Sequence, residues 1–187
     1  KYRNAIYDML KHLTNQKNNV MLKELKEMNY AKDFDFDNIM SIVYKHRDWL
    51  GHIRTDYIRQ MIINNAKAFN LKTNLTSKNK CTNLLIFEDN VIISYNIYKT
   101  KRRLNDDILA QPGDCILHQI VAKNRNGSAK EVLNRFFKHI NTRVFLSVRS
   151  DNDIAKKFYE KNGMLRIGDT SWAKGTISGD IFLYDSN

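Results

Sequence analysis

The hydrophobic period of this chain changes once, near Asn70, and that change restricts its fold more than any other feature. Before Asn70 the apolar residues fall at helical spacing. Tyr2, Ile6, Met9, Leu10 and Leu13 form one stripe, and Val20, Leu22, Leu25 and Met28 a second that Asn19 could cap. Ile39, Ile42, Val43 and Leu50 form a third, with Asp37 placed to cap it. Tyr57, Ile58, Met61 and Ile62 follow Thr55, and Asp56 suits the positive end of that helix. After a polar loop from Asn74 to Asn79 the pattern becomes strand-like. Leu84–Phe87 and Val91–Tyr98 flank Glu88-Asp89-Asn90 as a hairpin. Lys99 to Gln111 is polar and strongly basic at its start. Asp114–Val121 and Arg143–Val148 are further strands, separated by an amphipathic helix over Ala129–Ile140. A short helix, Ile154–Lys161, precedes a last strand pair, Leu165–Trp172 and Ile177–Tyr184, around Gly175. With one Pro and seven Gly, few breaks compete with this pattern. Helices first and a mixed strand–helix tail predict an α/β (α+β) fold with one central sheet.

A chain of 187 residues corresponds to one domain, or one domain with an extension. At this length roughly 70% of the unfolded surface is buried, so no metal or disulfide staple is needed. Cys81 and Cys115 make neither a disulfide framework nor a zinc site. The longest apolar runs are far too short to span a bilayer. The chain opens at Lys1, which points to a trimmed start, and no charged, apolar and small-residue run of a secretory signal opens it. A reducing, cytoplasmic setting is therefore expected, with no membrane partner and no metal.

The net charge is +11, and it is uneven. Residues 1–80 carry +7, residues 81–150 carry +5, and residues 151–187 carry −1. A basic front and a neutral tail suggest an anionic partner: a nucleic acid or a phosphate-rich cofactor. The densest basic run is Lys99, Lys101, Arg102 and Arg103. It reads as solvated loop, as a clamp for a cofactor phosphate, or as contact to a nucleic-acid backbone.

Val121-Ala122-Lys123-Asn124-Arg125-Asn126-Gly127-Ser128-Ala129 joins a strand directly to an amphipathic helix. Small residues at Gly127, Ser128 and Ala129 leave the first-turn amides and the positive dipole end open to a phosphate. Lys123 and Arg125 add charge. A plain strand-to-helix loop is the alternative. The later segment Asn152-x-x-Ala155-x-x-Phe158-Tyr159-x-x-x-Gly163-Met164 runs from a strand end through a short helix. Together the two resemble the GNAT superfamily of acyl-CoA-dependent N-acyltransferases, over roughly Asn83 to Tyr184. The loop matches the pattern Gln/Arg-x-x-Gly-x-Gly/Ala, with Asn124 in place of Gln/Arg. The later motif matches with Met164 for its final Phe.

The resemblance implies a strongly twisted mixed sheet, splayed between two neighbouring parallel strands, with the cofactor in the opening. Residues 28–187 would form this domain, and residues 1–27 a helical N-terminal extension. The donor would be acetyl-CoA. Its pyrophosphate would rest on the amides of Arg125, Asn126, Gly127, Ser128 and Ala129, beside Asn124 and Asn152. Its pantetheine would pair with backbone at Ile120 and Val121, and an amide near Val121 would steady the developing oxyanion. An acceptor amine would attack directly, without an acyl-enzyme. Tyr159 matches the position of the family's general acid; a core tyrosine with a satisfied hydroxyl is the alternative.

The base is less defined. Strict alternation puts Ile116, His118 and Ile120 on one face and Leu117, Gln119 and Val121 on the other. His118 then points at the cleft as base or substrate contact, or packs under a helix as a structural residue. Asp114 is a weaker candidate. His46 and His52, around Trp49, lie where the resemblance places the acceptor surface, as could Trp172 and Lys174. Three functions follow: an N-acetyltransferase acting on a small-molecule or protein amine, a nucleic-acid-modifying acyltransferase acting on DNA or tRNA, or a non-catalytic acyl-CoA-binding module. Loss of Tyr159 or Gly127 would favour the third, and both are present. Asp33, Asp35 and Asp37 are the only dense acidic cluster of the amino-terminal half that could suit a polyamine.

Overall fold

In a computed structural model of the chain, the structure describes residues 28–186 together with residues 5, 6, 9, 10, 12 and 13. Ile6, Met9, Leu10 and Leu13 are helical, as their spacing predicts, and about half exposed. The rest of the expected extension, Tyr2 and Asn19 to Leu25 included, lies outside the described residues.

Helices α1 (Phe36–Lys45), α2 (Arg47–Leu50) and α3 (Thr55–Ala68) come first. The strands and later helices follow as β1 (Leu84–Glu88), β2 (Val91–Ile97), β3 (Arg102–Arg103), β4 (Leu109–Ala110), β5 (Cys115–Ala122), α4 (Ser128–Ile140), β6 (Val144–Arg149), α5 (Asp153–Lys161), β7 (Leu165–Trp172) and β8 (Ile177–Tyr184). The main sheet has the order β1-β2-β5-β6-β8-β7, antiparallel except for β5 beside β6. Asp89 and Asn90 both take positive φ, 51° and 59°, the backbone a two-residue hairpin turn requires. Among the described residues no helix is long and apolar enough to cross a membrane.

Three expectations need correction. Asp37 does not cap α1. A 3-10 turn over Asp33–Asp35 runs straight into the helix, so Asp35 is the cap position and Asp37 lies in the first turn. Met28 is fully buried but not helical. It leads into an extended segment that extends the sheet beyond β1, with Ala31 N–H donating to Leu85 O (2.9 Å) and Phe87 N–H to Asn29 O (2.8 Å). Buried Asn65 of α3 secures it: its amide donates to Ala31 O and Leu85 O (both 2.8 Å) and accepts from Leu85 N–H (3.0 Å). The Lys99–Arg103 run is not plain solvated loop, because Arg102 and Arg103 form strand β3 of the small hairpin β3–β4.

The sheet has two unlike faces. Under α4 and α5 one continuous core gathers Tyr95, Leu117, Leu146 and Phe182 against Val132, Leu133, Phe136 and Phe137. The opposite face carries two separate clusters. Leu85, Ile92 and Val121 pack under Ile39, Ile42, Ile58, Met61 and Ile62 of α1 and α3. Ile116, Phe145 and Ile181 pack under Ala110, Leu104 and Ile108 of the β3–β4 segment.

Candidate active site

The gap between those clusters lies over a fault in the sheet. β5 pairs with β6 only at Cys115↔Val144 and Ile116↔Phe145. Beyond that the strands part, although β5 stays paired to β2 through Ala122 and β6 to β8 through Arg149. The β6-facing edge of β5 beyond Ile116 therefore offers backbone N–H and C=O groups with no strand partner.

A bulge accompanies the parting. Ser94 pairs with Gln119 and Tyr95 with Leu117, so His118 is an extra residue in β5. Bulges bend and over-twist the strand that carries them. This one also breaks the alternation expected from sequence. Leu117 and Ile120 both face α4, while Ile116 and Val121 both face the other side. His118, the bulge residue, is exposed as a whole, while its ring is partly enclosed by its neighbours. Its pKa is lowered, first by loss of surrounding water among its neighbours and then by the charge of His52.

At the top of β5 the chain enters the loop to α4. Gly127 takes φ +85° at the N-cap position, and a Cβ there would meet nothing within 4 Å. The loop therefore opens to space. Asn126 Oδ1 accepts from the Ser128 N–H (3.2 Å) and from the Ser128 hydroxyl, so that amide already has a partner. The amides of Ala129 and Lys130 stay without intrahelical acceptors, as in any first turn. Asn124 and Arg125 are exposed. The loop base is braced by α1: Lys45 Nζ donates to Lys123 O, and His46 Nε2 lies by Ala122 O, both at 3.2 Å. His46 therefore supports the loop.

The later motif has a local structural logic. Asn152 caps α5, accepting from Ala155 N–H (3.2 Å). Gly163 ends the helix at φ +86°, which admits the turn into buried Met164. Tyr159 points into the core between Phe158 and Phe182, at ring centroid distances of 5.6 and 5.9 Å. Its residue is 8% exposed, and its hydroxyl has no hydrogen-bond partner among the described residues. Burial raises its pKa to about 12, so the phenol is protonated at neutral pH.

Other candidates lie elsewhere. Asp114 sits at the closed end of the fault, held by Arg143 through Nε (3.0 Å) and an amino group (2.6 Å). Asp33 accepts from Thr73 and Asn74, and Asp35 from Lys32 N–H, so that acidic cluster organises loops. Lys99, Lys101, Arg102 and Arg103 are exposed beside the start of β5. The eight-residue strand β5, about 25 Å long, runs from that end of the sheet to the Gly127 loop.

Two residues without a role in the sequence reading also line the fault. Ser147 and Arg149 follow Phe145 at alternate positions of β6, and both are exposed on the side where the core is divided. The Arg149 guanidinium lies 5.3 Å from the Trp49 ring centroid and pairs with Asp151 (3.0 and 2.7 Å). Trp172 covers Gly179, the cross-strand neighbour of Arg149; a Cβ on that glycine would lie 2.5 Å from the indole. Among the described residues no three His, Cys, Asp or Glu side chains are grouped to hold a metal.

No protein-family model matches the sequence, and no curated protein matches it. Solved structures do match. NAA60 of Arabidopsis thaliana, in complex with a bisubstrate analogue, aligns with 86% of this chain and 98% of its own at 11% identity and a TM-score of 0.59. A GnaT-family acetyltransferase of Bordetella pertussis aligns with 84% of this chain and 94% of its own at 12% identity and 0.56. A GNAT-family acetyltransferase of Bacillus cereus covers the same shares at 22% identity and 0.52. The chain has the fold of the GNAT acetyltransferases, and the parted parallel strands of its mixed sheet are the splay that the sequence resemblance implies.

Proposed function

We propose that this chain is an acetyl-CoA-dependent N-acetyltransferase that transfers acetyl directly from the thioester to an amine. The observation that carries this reading is the parting of β5 from β6 beyond Ile116, in a fold shared with acetyltransferases. The residues present fit the donor. An open glycine cradle at Gly127 leads into a helix N-terminus for a pyrophosphate, and the free β5 edge at Ile120 and Val121 can pair with an amide-bearing arm. Acetyl-CoA supplies an activated acyl group. The remaining roles fall to the chain. An amide of the β5 edge near Val121 steadies negative charge on the carbonyl oxygen. Tyr159, protonated at neutral pH, donates its proton to the departing sulfur. His118, exposed at the fault with a lowered pKa, takes a proton from the acceptor amine directly or through water. Asn152 serves the site by fixing the start of α5. Residues 28–187 form the catalytic domain in this reading, with residues 1–27 as its extension.

A thermal-shift series tests the donor. At a hundredfold excess over Kd, mass action adds about 2.7 kcal/mol of stability. For a chain of this size that raises Tm by roughly 5–10 °C. Gly127→Glu should abolish the shift, because it sets an anion at the phosphate position. The comparison is with the variant's own ligand-free Tm, since a side chain at φ +85° is strained regardless of ligand. No shift in the unmodified protein overturns the reading.

A further inference from the structure

The face of the fault turned away from α4 is a trough. On one bank is the cluster under α1 and α3, and on the other the cluster under the β3–β4 segment. Its floor is His118 and Gln119 of β5 and Ser147 and Arg149 of β6, none of them buried. Counting up from the last β5–β6 pair, Ile116↔Phe145, and passing over the bulge residue His118, Val121 stands level with Arg149. Arg149 therefore stands across the trough from the backbone proposed to hold the reacting carbonyl.

Its guanidinium is set like a receptor. One face lies against Trp49, which fixes the plane of the fork. Trp172, over Gly179, walls the other side. The present partner, Asp151, is exposed and two residues away, and it pairs through two parallel hydrogen bonds, the geometry a ligand carboxylate or phosphate would also use. An exposed ion pair of this kind contributes little and is readily exchanged. Neither β5 nor β6 carries an Asp or Glu, so nothing on the floor selects a second cation.

We infer that the acceptor is a small amine that also carries an acidic group, a carboxylate or a phosphate close to the nitrogen, with Arg149 as its anchor. This rests on the acetyltransferase reading for the trough's role, but the binding itself is testable without acetyl-CoA. A free amino acid fits: its carboxylate on Arg149 would hold its amine over the trough floor, and its side chain would lie between the two indoles. A peptide amino terminus lacks that adjacent acid.

Trp49 and Trp172 are the only tryptophans in the chain; Trp49 lies against Arg149, and Trp172 lies over Gly179, its cross-strand neighbour. Intrinsic fluorescence therefore reads the site directly. The full chain, without acetyl-CoA, is titrated with the common amino acids, their amides, their decarboxylated amines, and phosphoethanolamine beside ethanolamine. Saturable changes are expected for acid-bearing amines only. Whether an amino acid or phosphoethanolamine binds decides between carboxylate and phosphate. Arg149→Gln should weaken binding about tenfold to a hundredfold, the usual loss of hydrogen bonds to a charged group. Asp151→Ala should strengthen it, since the competing carboxylate is gone; a merely structural Arg149–Asp151 pair would not give opposite signs. Equal binding by an amide or a decarboxylated amine overturns the inference, as does binding indifferent to Arg149→Gln or no saturable binding by any acid-bearing amine. Acetyl-CoA binding, measured separately by thermal shift, is expected to survive both substitutions, so failure of the acceptor assignment is distinguishable from failure of the acetyltransferase reading.

Discussion

Tyr159→Phe separates a proton donor from a core side chain, because the two roles predict opposite pairs of results. The substitution removes only the hydroxyl and keeps the ring between Phe158 and Phe182. That hydroxyl makes no hydrogen bond to the described residues, so no protein partner is orphaned. Folding stability, read from urea unfolding, should stay within about 0.5 kcal/mol of the unmodified protein. A hydroxyl satisfied within the core would instead cost about 1 kcal/mol on removal. Turnover should behave differently. Losing a general acid typically costs 10²–10⁴-fold in rate, which is about 2.7–5.4 kcal/mol of barrier at 1.36 kcal/mol per decade. The assay is thiol release from acetyl-CoA with the amine that the acceptor panel identifies, run at saturating donor. The alkaline stability limb gives a further check. The folded pKa of about 12 lies above the ordinary tyrosine value near 10. Its contribution to stability is thus complete below pH 10 and lost as pH rises toward 12. Tyr159→Phe should lose less stability over that window. Unchanged turnover together with a clear loss of stability would refute the assignment.

Further outcomes follow from the geometry. His118 has a lowered pKa, so its neutral, proton-accepting form prevails above the ordinary imidazole value near 6.5, and kcat/KM should be flat above that pH and fall only below it. His52→Gln removes a repelling charge and should move this limb upward in pH; an unmoved limb would exclude His118 as its source. Asn65→Ala should destabilise the fold by about 2–4 kcal/mol in chemical denaturation, since Leu85 N–H and Ala31 O lose their partner in a buried setting. Replacing Lys99, Lys101, Arg102 and Arg103 with Ala should leave acetyl-CoA affinity unchanged, because that run is about 25 Å of strand from the Gly127 loop. If a nucleic acid is bound, the same variant should flatten the salt dependence of its binding, by roughly 0.9 log units for each duplex-DNA phosphate that is no longer neutralised.

Local chemistry made most of the elements legible. The i, i+1, i+4, i+5 spacing of Val132, Leu133, Phe136 and Phe137 implies a helix with one apolar face, and that face is buried. Asp-Asn between two β-rich runs implies the β1–β2 turn, and both residues take the left-handed backbone it needs. The Asn152–Met164 motif is picked out by its resemblance to the GNAT pattern, and the structure gives it a local logic: Asn152 caps α5 and Gly163 makes a left-handed exit. The β3–β4 hairpin escaped because Lys-Arg-Arg has no β-rich pattern. Its strands are held by Ala110, Leu104 and Ile108 against residues distant in sequence, Phe145 and Ile181.

The candidate site divides along the same line. Gly127 could be named from its small-residue strand-to-helix loop, and Tyr159 from the resemblance of its segment to the GNAT motif. The bulge at His118 could not. A one-residue slip is a property of two strands in register, and only the pairing of Ser94 with Gln119 and of Tyr95 with Leu117 reveals it. That slip moves Ile120 to the face of Leu117 and Val121 to the face of Ile116, against strict alternation. Arg149 was silent for a similar reason. Alone it is one of many basic residues in a basic chain. Its position level with Val121, against Trp49 and beside Trp172, exists only once β6 lies next to β5 and leaves it. Sequence determined which segments are helix and strand, because neighbouring side chains decide that. Tertiary packing decided where two of those strands part, because a gap belongs to neither strand alone.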